Sequence, residues 1–490
     1  MPEKLVCDVA VIGASLGGVA AAWALAESGQ RVILTTDTPW IGGQITSQGV
    51  APLDEHPHIE SFGGTRRYYR LREAIRAHYG GVMNPGGGWV SRLCFEPRVG
   101  LQVLEAFLRP LPALVILPGR PVEARLEGSL IRSVHILGPG GELQEIAARF
   151  FLDASDLGDL LPLTQSPYTT GAEGRPDEVQ SFTYSFAVDW SPARDNLLPP
   201  PPDYAHLRDS QPYSLTLTGH DGQPKDYPMF RGDLPFWTYR RIAQGPDMAL
   251  INWAGNDYRG QNIIDKSPGE VAAALQAAKN LSLGFLHWLQ TEAPRDPEDG
   301  GGRGYPELRL RPEVMGTADG LSQAPYIRES RRIQALYTLR AEDLTGPTFF
   351  SDSVGVAWYA IDLHACVGNP DSACYLPTQP FQIPLRALLS ESRPNLLPAC
   401  KNIGADHWAA GAYRVHPGEW AIGEAAGLLA AWSLEQGIWP LEISTQPDKL
   451  RDLQTFLLAQ GLPLAWTLQT PLGHPEFITA QMAALQKGSA

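Results

Sequence analysis

No apolar run in these 490 residues is long enough to span a bilayer, so no membrane-crossing helix is expected. Cysteine is scarce. Cys7, Cys94, Cys366, Cys374 and Cys400 are scattered, odd in number and form no C-x-x-C pair, which argues for buried thiols rather than a disulfide framework or a metal site. Basic charge is also in deficit: 39 Lys and Arg stand against 53 Asp and Glu, a formal charge of −14. Such a surface repels a phosphate backbone, so no nucleic-acid partner is expected. The N-terminus enters an apolar strand within a few residues and leaves no room for a signal peptide, which predicts cytoplasmic residence. No internal repeat is visible. The length exceeds what one simple core organises and predicts two intertwined domains; oligomeric state is left open.

The stretch Cys7–Gly43 carries the strongest positive signal. Val9-Ala10-Val11-Ile12 reads as a buried parallel strand. The turn Gly13-Ala14-Ser15-Leu16-Gly17-Gly18 follows, then an alanine-rich helix stopped at Ser28-Gly29, then a second strand, Val32-Ile33-Leu34. In such a βαβ unit Gly13 permits the sharp turn and Gly18 the close helix packing, while free N–H groups at the helix start face a pyrophosphate. Two positions depart from G-x-G-x-x-G and its ribose-binding acid. Ser15 occupies the middle position, where its hydroxyl could itself donate to a phosphate. Thr36 stands where the acid is expected, with Asp37 next to it, and either could meet the ribose.

Helical spacing covers Thr65–Tyr79 and Pro97–Leu108. Short β runs at Leu114–Leu117, Val122–Leu126, Leu130–Leu137 and Gln144–Ile146, with turns at Gly128-Ser129 and Gly138–Gly141, read as a small β-meander. It leads into Arg149–Ser155, a strand ending in small and polar residues. Residues 170–375 mix short β runs with two helices, Pro268–Thr291 and Pro325–Asp343. An apolar strand, Leu396–Ala399, precedes a small-residue turn and a helix from Pro417 to Gln436. Beyond Pro447 one helix, Lys449–Ala459, and a loop are expected.

Together these segments resemble the FAD-dependent oxidoreductase family, within the wider group that includes the flavoprotein subunits of fumarate reductase and succinate dehydrogenase. The resemblance covers nearly the whole chain. It is carried by Gly13–Gly18, Trp40-Ile41-Gly42-Gly43-Gln44, Asp153-Ala154-Ser155-Asp156-Leu157-Gly158-Asp159, Asn252–Tyr258, Tyr326–Arg332, Asn402–His407, Gly411-Ala412-Tyr413-Arg414 and Ile422–Gly427. It implies an α/β fold: a Rossmann-like FAD-binding domain, three-layered, with a parallel sheet plus β-meander, and an inserted β-rich α+β substrate domain. The boundaries so implied are 1–165 and 376–440 for the FAD-binding domain, 166–375 for the insertion and 441–490 for a C-terminal helical tail. FAD contacts are implied at Gly13, Ser15, Leu16, Gly17, Gly18, Thr36, Asp37, Trp40, Gly42, Gly43, Gln44, Asp153, Ala154, Ser155, Asp159 and Ile422. No His or Cys in the Trp40–Val50 loop suits a covalent flavin link, so the FAD is expected to be non-covalent, and no metal is expected. Gln44 and Gln48 could bond the ring or the substrate, or simply face water.

A reduced flavin carries negative charge at its N1–C2=O edge, and positive potential there favours hydride arrival. The helix start at Pro417 and the guanidinium of Arg414 supply it, unless Arg414 pairs with Glu419 or Glu424. In related reductases the matching Arg lies close to flavin and substrate. His407 and His416 are the candidate proton shuttles. Arg328, Arg331 and Arg332, on one helix face, either bind an anionic substrate or pair with Glu329, Glu342 and Asp343. Asp362, His364 and the Asn252–Tyr258 loop are further substrate-side candidates. No second glycine-rich βαβ unit marks a nicotinamide domain. The expected activity is hydride transfer between flavin N5 and a small organic substrate between the two domains. The alternatives are a monooxygenase using NAD(P)H and O2, or a flavoprotein of the tRNA-modifying type, which the acidic charge disfavours.

Overall fold

The computed structural model describes residues 3–192, 194–218 and 223–487. Strand β1 (Glu3–Val6) is followed by β2 (Val9–Ile12), helix α1 (Leu16–Glu27) and β3 (Val32–Thr36). Every residue of β2 and β3 is buried, as unbroken apolar runs in a covered parallel sheet require. Residues Leu16–Ala26 of α1 are buried too, because a helix apolar on all sides must be enclosed. Helices α2 (Arg66–His78) and α3 (Pro97–Leu108) follow, as their spacing predicts.

Strands β4 (Leu114–Pro118), β5 (Arg120–Glu127), β6 (Leu130–Leu137), β7 (Leu143–Ala147) and β8 (Phe150–Asp153) complete the N-terminal part. The main sheet is parallel and five-stranded, in the order Leu396–Pro398, β8, β2, β3, β4. Val9 pairs with Val32 and Phe150, and Leu396 with Phe151. Residues nearly 400 positions apart thus share one sheet. The run at Leu114 does not join the meander. It extends the parallel sheet beside β3, where Val32 pairs with Leu114 and Thr36 with Pro118. The meander is β5, β6 and β7, and its free edge takes up β1 in parallel. The largely exposed, charged β1 gives no apolar signal in the sequence.

Behind the sheet, α1 lies against the helix His416–Gln436. Two glycines allow that approach: a Cβ on Gly423 would enter the Gly17 carbonyl, and one on Gly427 would sit 2.7 Å from the Ala21 oxygen. A second core gathers around Phe186, Trp253, Leu281, Phe285 and Tyr305. It lies between an antiparallel sheet (Arg241–Ala243, Met248–Ile251, Phe186–Trp190, Leu308–Leu310) and the helix Pro268–Thr291. Ser267 and Glu270 cap that helix reciprocally.

Two further expectations need correction. Pro325–Asp343 is not a helix; only Ala341–Thr345 is helical. Tyr326 exchanges backbone hydrogen bonds with Thr183, so this stretch is extended, and its arginines reach out to different elements instead of sharing a helical face. The second core runs to Ile327, while Leu339, Leu344, Phe350, Val354 and Ala357 pack into the first core. The strand Ser353–Ala357 pairs with Phe381–Pro384 rather than with the inserted sheet. The tail holds a further helix, Phe477–Lys487, where a loop is expected. All five cysteines are free. Among the described residues no helix is long and apolar enough to cross a membrane.

Candidate functional site

The carboxyl ends of β2, β3 and β8 open into a cleft of about 210 Å³, the usual ligand position at the end of an open parallel sheet. Of the residues singled out in the sequence, Gly13, Ser15, Asp37, Gly43, Ala154, Ser155 and Asp159 line it. Gly13 has φ of +106°, and any Cβ there would collide with the Ala154 carbonyl, so the turn is open to glycine alone. Ser15 caps α1 by accepting the Gly18 N–H at 3.1 Å. Asp153 does not reach the cleft. Its buried carboxylate accepts from Ser155 N–H and Oγ (3.2 and 2.7 Å) and from Leu160 N–H (3.0 Å), bracing the turn that presents Ala154 and Ser155. Burial pushes its pKa up to about 7.

The ribose-binding question divides in the structure. The Thr36 hydroxyl donates to the Thr38 carbonyl at 2.7 Å and is used within its own turn. Asp37 is exposed to the cleft. Trp40 lies outside the cleft, under the Arg98 guanidinium and against Gly316. Leu16, Gly17, Gly18, Gly42 and Ile422 are also outside it; they shape the turn and the helix packing.

The helix start is partly satisfied from within. Gly17 N–H donates to the buried Glu419 carboxylate at 2.9 Å. Glu419 also accepts from Gln44 Nε2 and from Lys401 Nζ at 3.3 Å, and Gln44 in turn donates to the Arg414 carbonyl at 2.9 Å. Lys401 lies outside every motif and Glu419 is a candidate only as a partner of Arg414, so nothing in the sequence marks their contact. A flavin dinucleotide fits this cleft on two observations. The glycine turn leaves backbone where a Cβ would block approach. Gln48, a lining residue, holds its side-chain oxygen buried without a protein partner. Neither His nor Cys lines the cleft among the described residues.

A larger cavity of about 760 Å³ lies on the other side of one short segment. Ala324, Pro325 and Ile327 face the cleft, while Tyr326 and Arg328 face the cavity, the alternation of an extended chain. Arg414 lines the cavity. It donates to the Tyr326 hydroxyl at 3.0 Å and to Asp362, at 2.8 Å to the carbonyl and 3.4 Å to the carboxylate. Its acidic partner is therefore Asp362, not Glu419 or Glu424; Glu424 is engaged by Arg67 at 2.8 Å. Arg328 pairs with Asp257 at 2.9 Å and Arg240 with Asp54 at 3.0 Å. His364 Nδ1 meets Asp257 at 2.5 Å, and its Nε2 is 3.5 Å from Asp362. Burial pushes the Asp257 carboxyl up, but Arg328 and His364 outweigh it and hold it well below the usual carboxylate range.

The other two arginines are structural here. Arg332 pairs with Glu329 and donates to the Ala405 carbonyl, and Arg331 meets Asp159 and Asp265.

Neither histidine expected to shuttle protons reaches the cavity. His416 accepts the Asp54 N–H at 2.9 Å through Nδ1, and its Nε2 faces the Val50 carbonyl at 2.9 Å. Both nitrogens are committed to backbone, and burial lowers its pKa. His407 is buried between Glu329 (2.9 Å) and Cys366 (3.9 Å). Burial alone would lower its pKa, but Cys366 and Glu329 push it up to about 10, so the ring does not titrate near neutral pH. His364, a substrate-side candidate, is the histidine at the cavity. Tyr326 joins it from the Tyr326–Arg332 motif, and the Asp54–Arg240 pair and Tyr359 from distant stretches whose spacing carries no signal.

Comparison with curated protein sequences finds no match. Among solved structures the chain is similar to L-proline dehydrogenase from P.horikoshii, at 17% identity over 38% of this chain and 25% of that one, with a TM-score of 0.20; it thus spans about a quarter of that protein's length. It is similar to BexE, a protein described for oxidation during BE-7585A biosynthesis, at 12% identity over 99% and 73%, TM-score 0.37. It is similar to the p-nitrophenol 4-monooxygenase PnpA from Pseudomonas putida DLL-E4, at 12% over 99% and 94%, TM-score 0.34. The sequence profile described as FAD dependent oxidoreductase matches residues 8–457, and the chain accordingly belongs to that family of FAD-binding oxidoreductases.

Proposed function

We propose that the protein moves a hydride between FAD in the cleft and a small organic substrate in the larger cavity. The observation that carries this reading is the single extended segment Ala324–Arg328, which forms a wall of both spaces. The FAD-binding unit consists of residues 1–165 and 376–440, extended by the chain from Leu339 onward, and the insertion supplies most of the remaining cavity wall. Gly13, Ser15, Ala154 and Ser155 hold the phosphates, Asp37 the ribose, and Gly43 and Gln48 the ring end. A neighbouring hollow of about 390 Å³, which shares Asp37, Thr38, Gly119 and Arg120 with the cleft, takes the adenine end. The FAD is bound without a covalent link.

Bound FAD supplies two-electron hydride exchange. The chain's own residues supply charge and proton control. Arg414, just ahead of the helix His416–Gln436, keeps a fixed positive charge between cavity and cofactor. Asp257, held ionised, accepts from His364 Nδ1 and leaves Nε2 as the nitrogen that takes or returns the substrate proton. Arg328 and Arg240, each tied to a carboxylate, orient the substrate.

The test is anaerobic mixing of the yellow holoenzyme with metabolites and, separately, with NADPH. Bleaching by a specific organic compound but not by NADPH supports the proposal. Rapid bleaching by NADPH alone overturns it and favours a monooxygenase. Arg414→Ala should slow substrate-driven bleaching more than it weakens FAD binding, because the contact strengthens as charge develops.

A further inference from the structure

Resting on the reading of the larger cavity as the substrate site, we propose that its ligand is a neutral polyhydroxylated molecule, a sugar or polyol. Three buried guanidiniums line the cavity, and each is paired with a carboxylate: Arg240 with Asp54 and Arg414 with Asp362, both acids also in the lining, and Arg328 with Asp257 behind it. Each of these guanidiniums already has its counter-charge inside the protein, while Lys225, an exposed ammonium of the lining, lies 5.5 Å from the Tyr227 ring centroid. An anionic ligand would compete with those carboxylates for the same N–H groups and meet their repulsion. An apolar ligand would strip water from the charged side chains of the lining and return no hydrogen bonds.

A hydroxyl is donor and acceptor at once. Two neighbouring hydroxyls can therefore donate to a carboxylate and accept from the adjoining guanidinium, satisfying a pair without breaking it. Asn252 adds a buried side-chain N–H group that has no protein partner.

The rest of the lining suits the other half of such a molecule. Trp89 and Tyr375 stand 37% and 42% exposed at the cavity. Trp89 packs against Tyr239 at 4.7 Å between ring centroids, and Tyr239 against Trp253 at 5.3 Å. Flat aromatic faces take up the C–H face of a sugar ring while its hydroxyls turn to the ion pairs. A volume of about 760 Å³ leaves room for one or two sugar rings.

The test is calorimetric titration of the holoenzyme with neutral pentoses, hexoses, hexitols, inositols and disaccharides, against succinate, fumarate and benzoate. At least one neutral compound should bind, and none of the carboxylates should bind as tightly. Trp89→Ala should weaken that binding about three- to tenfold, while Trp89→Phe restores it. Trp89 is partly exposed, so both variants should fold, and unchanged melting temperature checks this. Tighter binding of a carboxylate, binding of no neutral compound, or indifference to Trp89→Ala overturns the proposal. The two readings fail separately. A sugar that binds but never bleaches the flavin keeps this assignment and sinks the hydride reading. A carboxylate that binds and bleaches it does the reverse.

Discussion

At the scale of single residues, the division between cleft and cavity sets which side chains matter for which property. His364→Asn should lower turnover by about a hundred- to ten-thousandfold, the usual worth of a positioned acid–base group, while the holoenzyme stays yellow. Parallel loss of flavin and turnover would make His364 a structural residue. Asp37→Ala should weaken FAD retention on dilution or dialysis, and Thr36→Val should not, since that hydroxyl is used inside its own turn. Equal retention in the two variants would leave the ribose to backbone groups. His407 predicts a pH dependence of stability instead of rate. Its folded pKa of about 10 lies above the ordinary 6.5. The folded chain therefore holds a proton that the unfolded chain gives up across this window. The stabilisation is complete below pH 6.5 and is lost as pH rises toward 10. Urea unfolding midpoints should fall over that range, and His407→Gln should flatten the fall. An unchanged slope would show that Glu329 and Cys366 do not hold the ring charged.

At the scale of elements, the contact of α1 with the helix His416–Gln436 is the most sensitive to size. Gly423→Ala places a methyl group in the Gly17 carbonyl and must push the two helices apart. The expected cost is about 1–3 kcal/mol of stability, with weaker FAD binding because Gly17 belongs to the phosphate turn. Gly437→Ala, at the exposed end of the same helix where nothing crowds a Cβ but φ is +69°, is the control: it should cost stability without touching FAD. The same elements show what is legible in the sequence. The βαβ unit is legible because strand, turn and helix are local and each announces itself. The helix Pro268–Thr291 is legible because Ser267, Pro268 and Glu270 mark its start. The stretch from Pro325 is misread because its arginines recur at helical spacing, yet each is bought out of a helix by a distant carboxylate or carbonyl. Helical spacing of polar residues does not encode a helix when every one of them is buried against another part of the chain.

At the scale of the whole molecule, the site is an assembly of remote pieces. The cofactor cleft is largely visible in motifs, since glycine turns are short-range. The cavity is visible only in part: Arg328, Asp362, His364 and Arg414 are candidates in the sequence, whereas Asp54, Arg240 and Tyr359 come from positions that no local rule connects. Acid or heat should release free FAD from the purified protein; flavin that stays with the denatured chain would reveal a covalent link.

The wall from Ala324 to Arg328 also dictates an order of traffic. One strand cannot be firm on its cavity face while its cofactor face is unsupported. Pro325 and Ile327 line the cleft, and Tyr326 and Arg328 on the cavity side are carried by the same backbone. The cofactor should therefore be loaded before any substrate can be admitted. Apoprotein should bind cavity ligands weakly or not at all, and adding FAD should restore the affinity in the calorimeter. By reciprocity, a cavity ligand should slow the escape of FAD. Equal ligand affinity in the two forms would mean that the shared wall stands without the cofactor.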